Sequence, residues 1–312
     1  PAPPAPAALA PGAFFVAPPP VGSDSNPGTA AQPWATLAKA AATLTAGQTV
    51  YIRGGSYTIS NVTTPLNVGS EGAWITYEGF PGELPVFDAS PMWHMPTDRS
   101  FAINLAGLGD TFIRVKNLEI RNGCEGINAG QRSEILNCRI IFMRSAGIWV
   151  ADRSRIISNL VQEAHAQYIE TQSSGQECIS VGGWDVEVAY NEVCYGGKEG
   201  IDFKWGAQRA NIHHNYVHHQ DEWANDYCGF PFACGIYIDA AAPQSHIQVW
   251  SNVIHDCEHG ITLYAEDYSG ASDDLSECHV HHNIIWDIQW LGIGVDNQGV
   301  AGGRTRNVKV LN

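Results

Sequence analysis

The chain has 312 residues, 44% of them apolar, which is enough to bury a core of its own. Its net charge of −15 comes from 17 Lys plus Arg against 32 Asp plus Glu, without any basic cluster, and this excludes a nucleic-acid partner from the expected functions. No stretch approaches the ~20 consecutive apolar residues of a membrane-spanning helix.

With Gly 32, Trp 10 and Tyr 11 against Met 3, the composition favours short strands and many turns, hence an all-β chain. Residues 1–12, PAPPAPAALAPG, read as an extended Pro/Ala linker, and residues 13–312 as one domain. No charged start with an apolar signal core opens the chain, so an exported form is expected to have lost its signal peptide. Within the domain, Pro33 followed by apolar Leu37, Ala40, Ala41 and Leu44, with a stop at Gly47, predicts one short amphipathic helix. TVYIRGGSYTI then reads as strand, turn, strand. Residues of about 13–60 form the amino-terminal cap in this reading, the helix covering the open end of a stack of coils.

Coils are expected over about 61–312, and from residue 113 a phrase recurs. It places Asn at 117, 137, 159, 191, 215, 252, 283 and 312, each of the first seven leading to a Gly-Ile or Cys-Ile step, at 126–127, 147–148, 178–179, 200–201, 235–236, 260–261 and 292–293. Units this short cannot bury an apolar face alone, so they must stack as a solenoid. Asn tolerates a left-handed bend, and its amide can bond the Asn of the next coil. The predicted fold is therefore a right-handed parallel β-helix with one ladder of asparagines. The chain stops on Asn312 without a closing element, so the carboxy-terminal end reads as incomplete. Eight cysteines without a CxxC pair suit an oxidising compartment, and Cys228 with Cys234, six apart around a Gly/Pro loop, is the pair expected to bond.

Alternation after the Gly-Ile step sends Ile201 and Phe203 inward and Asp202 and Lys204 outward. Ser180, Tyr237 and Thr262 align with Asp202. Gly182, Asp239, Tyr264 and Asp296 align with Lys204, and Glu177, Glu199, Cys234 and His259 precede them. This carboxylate-rich, aromatic face is the expected site, overhung by an insert at 219–233, with Tyr237, His259, Tyr264 and Trp205 as sugar contacts. Adjacent histidines (213–214, 218–219, 281–282) should split to opposite faces, while His218 and His255 share a register and could share a metal.

The cap sequence SDSNPGTAAQPWATLAKAA…AGQTVYIRGGSYTI and the Asn-ladder coils resemble the pectate-lyase-like β-helix superfamily of secreted polysaccharide lyases and related proteins. In its calcium-dependent pectate lyases an acidic pair, a glycine, any residue and an aspartate bind the metal. Glu199, Gly200 and Asp202 match that pattern, and Lys198 stands where the first acid would be. In chondroitinase B and the related alginate lyases the base is a lysine five residues after a glutamate, the spacing of Glu199 to Lys204; those enzymes carry an arginine on the following coil, where this chain has Asp239. The resemblance implies a secreted lyase acting on a uronic-acid polysaccharide, with Glu199 and Asp202 as Ca2+ ligands and Lys204 as the base; the stacked register adds Glu177, at the same turn one coil earlier, as the third ligand. Two other readings stay open. One is a hydrolase using Asp202 and Asp239 as a carboxylate pair on adjacent coils; the other is a non-catalytic β-rod for glycan binding, self-assembly or cell-surface attachment.

Overall fold

The computed structural model describes residues 9–95, 100–166, 177–220, 233–240, 242–265, 274–297 and 304–311. Among them every strand pair is parallel, and each coil contributes strands to stacked sheets. One face has eleven strands, running from Phe14–Val16 through Asn211–His213 to Lys309–Leu311. A second face runs from Gly55–Thr58 through Leu160–Gln162 to Tyr216–His218, and a third from Phe101–Asn104 through Ile201–Phe203 to Cys234–Ala240. The long strand Val253–Ala265 passes along both the second and the third face and pairs with Ile284–Asn297. This is the right-handed parallel β-helix that the repeat predicts.

Stacking sets one residue of each coil on its counterpart in the next. The inward column Val115, Ile135, Ile156, Val188, Ile212, Val249 and Val280 is in register along the first face and buried throughout. On the third face the column is Ile103, Ile127, Ile148, Ile179, Ile201, Ile236 and Ile261, each opposite the next. Each such side chain contributes about 1.5–3 kcal/mol by leaving water. The glycine that precedes five of these seven isoleucines is steric in origin. A Cβ on Gly200 would stand 2.7 Å from the Gly235 carbonyl oxygen, and one on Gly235 would stand 2.6 Å from Ile254 Cγ2.

The helix spans Leu37–Thr43, four residues later than Pro33 suggests. Trp34 is drawn into a bridge with Val16, and the side chain of Thr36 caps the helix by accepting from the Lys39 N–H at 3.1 Å. Leu37, Ala40 and Leu44 join the same core as the coils.

The asparagine ladder is real but shorter than the sequence suggests. From Asn159 through Asn191, Asn215 and Asn252 to Asn283, each Nδ2 donates to Oδ1 of the next at 2.9–3.0 Å. Each also donates inward to a backbone carbonyl, as Asn215 does to Val188 at 2.9 Å. Asn117 and Asn137 lie one residue earlier, in the left-handed position at φ 56° and 51°. They bond each other at 2.7 Å on the surface, while Leu118 and Cys138 take the ladder position of their coils. Bend and ladder are thus two adjacent positions, and the bend is taken in later coils by Ser158, Tyr190, His214, Ser251 and His282.

The expected Cys228–Cys234 disulfide is not formed. Cys228 lies outside the described residues. Cys234 is a free thiol buried in the third face, where its Sγ donates to the Ile236 carbonyl at 3.1 Å and lies 3.3 Å from the Thr262 hydroxyl.

Solution measurements should show two outcomes. Asn215→Leu removes a buried amide that accepts from Asn191 and donates to both Asn252 and Val188, so denaturant unfolding should show a loss of about 1–3 kcal/mol; Asn137→Gly, which keeps the left-handed bend at φ 51° and removes only an exposed bond, should change stability by about 0.5 kcal/mol or less. Equal losses in the two variants would contradict the assignment of the ladder. In the native protein Cys234 should resist alkylation and react only after unfolding without reductant, as read by mass spectrometry; a Cys228–Cys234 peptide would overturn the free thiol.

Candidate active site

Three consecutive strands of the third face, Ile179–Val181, Ile201–Phe203 and Cys234–Ala240, position the candidate residues. Ile201 and Phe203 point into the core and Asp202 lies in register between Ser180 and Tyr237, as alternation requires. The outward residues are nevertheless buried. Asp202 is 1% exposed, Glu177 1%, Glu199 3% and Lys204 7%.

Here the chain gathers three carboxylates around two ammonium groups. Lys204 Nζ stands 2.8 Å from Glu177 Oε1 and 2.7 Å from Asp202 Oδ2. Lys198 Nζ stands 3.2 Å from the same Glu177 oxygen and 3.0 Å from Glu199 Oε2. One oxygen from each of Glu177, Glu199 and Asp202 lies within 4.8 Å of the others. Glu177 Oε2 and Asp202 Oδ1 are buried without a hydrogen-bond partner.

Electrostatics separates the three acids. Burial penalises the charge of Glu177, but Lys204 and Lys198 outweigh it and hold the carboxyl well below its usual range. Burial raises Glu199, with Glu177 adding to the rise against the pull of Lys198. Asp202 is pushed up to about 7 by burial and by the two glutamates, against the pull of Lys204. For Lys204 burial favours the neutral amine, yet Asp202, Glu177 and Glu199 prevail and keep the proton firmly bound.

The remaining expected residues surround this cluster. Asp239 is on the next coil, opposite Tyr264, whereas the close carboxylates of Lys204 are those of Glu177 and Asp202. The register sets Asp202 opposite Tyr237, as the alignment of the coils predicts, so Asp239 lies two residues further along the next strand, diagonal to Asp202, and the pair is wider than the roughly 5 Å of facing groups on adjacent coils. Tyr237 packs edge-on against Tyr264 with centroids 5.9 Å apart, and His259 lies in register with Cys234. Trp205 is 44% exposed, with Lys204 Nζ 5.5 Å from its ring. Of the insert at 219–233, residues 221–232 lie outside the described residues. Lys198 is the participant the sequence undervalued, though its place beside Glu199 was signal enough: it bridges two of the three acids.

The histidines depart from simple alternation. His219 has φ 53°, which turns it to the same side as His218, and their Nδ1 atoms approach to 2.7 Å. His213 with His214 and His281 with His282 repeat this contact at 3.0 and 2.8 Å. His218 and His255 do share a register, but their rings stack, 5.2 Å apart and 6° from parallel.

Known proteins agree with this architecture. No curated protein sequence matches the chain. Among solved structures it is similar to the GH136 lacto-N-biosidase from Eubacterium ramulus, with TM-score 0.62, 14% identity, and 95% of this chain and 68% of that one covered. It is similar to pectate lyase Pel9A, with TM-score 0.60, 15% identity and coverage of 93% and 77%. A structure described as a glycoside hydrolase gives TM-score 0.61 at 9% identity, with 96% of both chains covered. Such identities establish shared fold, and one fold hosts many activities. The model of the Pel9A-like right-handed β-helix region matches residues 14–180, and that of the right-handed β-helix region matches residues 102–312. The chain therefore belongs to the right-handed β-helix proteins, and over its amino-terminal coils to their Pel9A-like family.

Proposed function

We propose that the protein acts on a polysaccharide outside the cell, as a calcium-assisted lyase of uronic-acid-containing chains. The observation that carries this reading is the convergence of Glu177, Glu199 and Asp202 on one point beside Lys204, with two carboxylate oxygens lacking hydrogen-bond partners. Hard oxygen donors suit calcium, and those two oxygens fit it as ligands. Calcium held there would neutralise the uronate carboxylate, which acidifies the proton at C5.

The chain's own part is proton removal and substrate placement. Lys204 would take the C5 proton, the C4–O bond would break, and a C4=C5 double bond would form as the leaving oxygen is protonated. Lys204 can serve as a base only when Glu177 and Asp202 are engaged elsewhere, because in their company it keeps its proton. Trp205, 44% exposed, and the half-buried Tyr264 would offer ring faces to the sugars, with the buried Tyr237 packed edge-on behind Tyr264. A polymer of this kind is met outside cells, and among the described residues no helix is long and apolar enough to cross a membrane.

Polygalacturonate, alginate and chondroitin, each with calcium or with a chelator, provide the test. The expected result is ultraviolet absorbance from unsaturated ends that requires calcium and falls about 10²–10⁴-fold in Lys204→Ala, with the fold confirmed by circular dichroism. Reducing ends released without absorbance, and lost in Asp202→Asn, would replace the lyase by a hydrolase. Glycan binding without any product would replace both by a non-catalytic rod for binding or attachment.

A further inference from the structure

The second face carries a histidine-rich corner remote in role from the acidic cluster. Two successive coils repeat one device there, a strand position occupied by histidine followed by a left-handed residue. On one coil these are His218 and His219 (φ 53°), and on the next His255 and Asp256 (φ 49°), with His218 in register with His255. The left-handed turn breaks the alternation that would part neighbouring side chains. His255 Nδ1 accordingly lies 2.5 Å from Asp256 Oδ2, and His219 Nε2 lies 3.9 Å from the same oxygen. One donor atom from each of His219, His255 and Asp256 falls within 4.8 Å of the others.

The two imidazoles are held for this purpose by their other nitrogens. Tyr216 Oη is 2.8 Å from His255 Nε2, which leaves Nδ1 facing Asp256. His218 Nδ1 is 2.7 Å from His219 Nδ1, which leaves Nε2 facing Asp256. Fixing the remote nitrogen of a ligating histidine in this way is the usual second layer of a metal site. The ring of His255 is also clamped between His218 and Trp286, stacked at 5.2 and 4.3 Å. His219 and Asp256 keep 35% and 45% of their side-chain surface, so an ion can enter from solvent.

We infer that His219, His255 and Asp256 form a zinc site that clips two successive coils. Two imidazoles and one carboxylate make a zinc donor set, whereas calcium takes oxygen alone. Three protein ligands leave the fourth tetrahedral position for water. The pairs His213–His214 and His281–His282 have the same close Nδ1 contact, but no such three-residue group includes them among the described residues.

The full chain, stripped with a chelator, is to be titrated with zinc by calorimetry and followed in thermal unfolding, with calcium as the comparison ion. We expect one zinc ion per chain lost on mutation of this corner, with Kd of about 10⁻⁶ M or tighter and a rise in Tm of a few degrees, as mass action requires for a site binding only the folded chain. Asp256→Asn and His219→Ala should each weaken that binding at least about tenfold and remove the rise, while His282→Ala should leave both intact. Asp256 is exposed, so its variant should match the parent's Tm without zinc. Parental zinc affinity in both corner variants, or no zinc-dependent rise in the parent, would overturn the site.

Discussion

Successive coils of this protein are separated by one strand spacing, about 4.8 Å. Each side chain must therefore meet its counterpart in the next coil, and the chemistry of a column is decided by how a residue type interacts with itself. Isoleucine gains from its own kind, which gives the unbroken columns of the core. Asparagine gains because an amide both donates and accepts, so five of them satisfy one another while tying the backbone down. Histidine and tryptophan stack, as in the run His213, Trp250, His281. Carboxylates gain nothing from their own kind, and that is why Glu177 and Glu199 are found with Lys198 between them.

The same rule explains what the sequence could and could not disclose. The Gly-Ile step was legible because two constraints coincide at neighbouring positions, absence of a Cβ at Gly200 and Gly235 and an inward aliphatic at Ile201 and Ile236. The asparagine corner was legible only in part. A left-handed bend and an amide ladder both select Asn and lie side by side, so Asn117 and Asn137 look like ladder members although they sit one residue earlier and bond each other at the surface. Adjacent histidines misled for a related reason, since period-two alternation presumes extended backbone at both residues and His219 is not extended. Cys234 read as half of a local pair because loop spacing says nothing of direction, and its strand turns the thiol inward.

The left-handed corners have a further consequence. A non-glycine residue at positive φ costs of order 1 kcal/mol, yet these corners use Asp, Arg, His, Tyr and Ser in preference to glycine. What compensates lies in the side chains. Arg209 at such a corner pairs with Asp185 at the same corner of the preceding coil, 2.6 Å away, and Tyr190 stacks on His214 at 4.9 Å. The bends thus act as outward-facing columns in their own right, and they bring two consecutive residues to one spot.

The charge balance of the third face bears on why its cluster exists at all. Three buried acids with one buried and one half-buried lysine are an expensive way to hold a coil together, because desolvation of such groups rivals or exceeds what their attraction returns. Apolar residues of similar size at these positions would stack as the isoleucines do, at no such cost. Stability alone therefore does not account for Glu177, Lys198, Glu199, Asp202 and Lys204. The strain is also unevenly shared: Glu177 contacts both ammonium groups and stays ionised, whereas Asp202, with one lysine and two acidic neighbours, sits at the edge of ionisation near neutral pH. Burial sets both extremes, because once water is gone each acid's proton affinity follows from how many ammonium groups reach it.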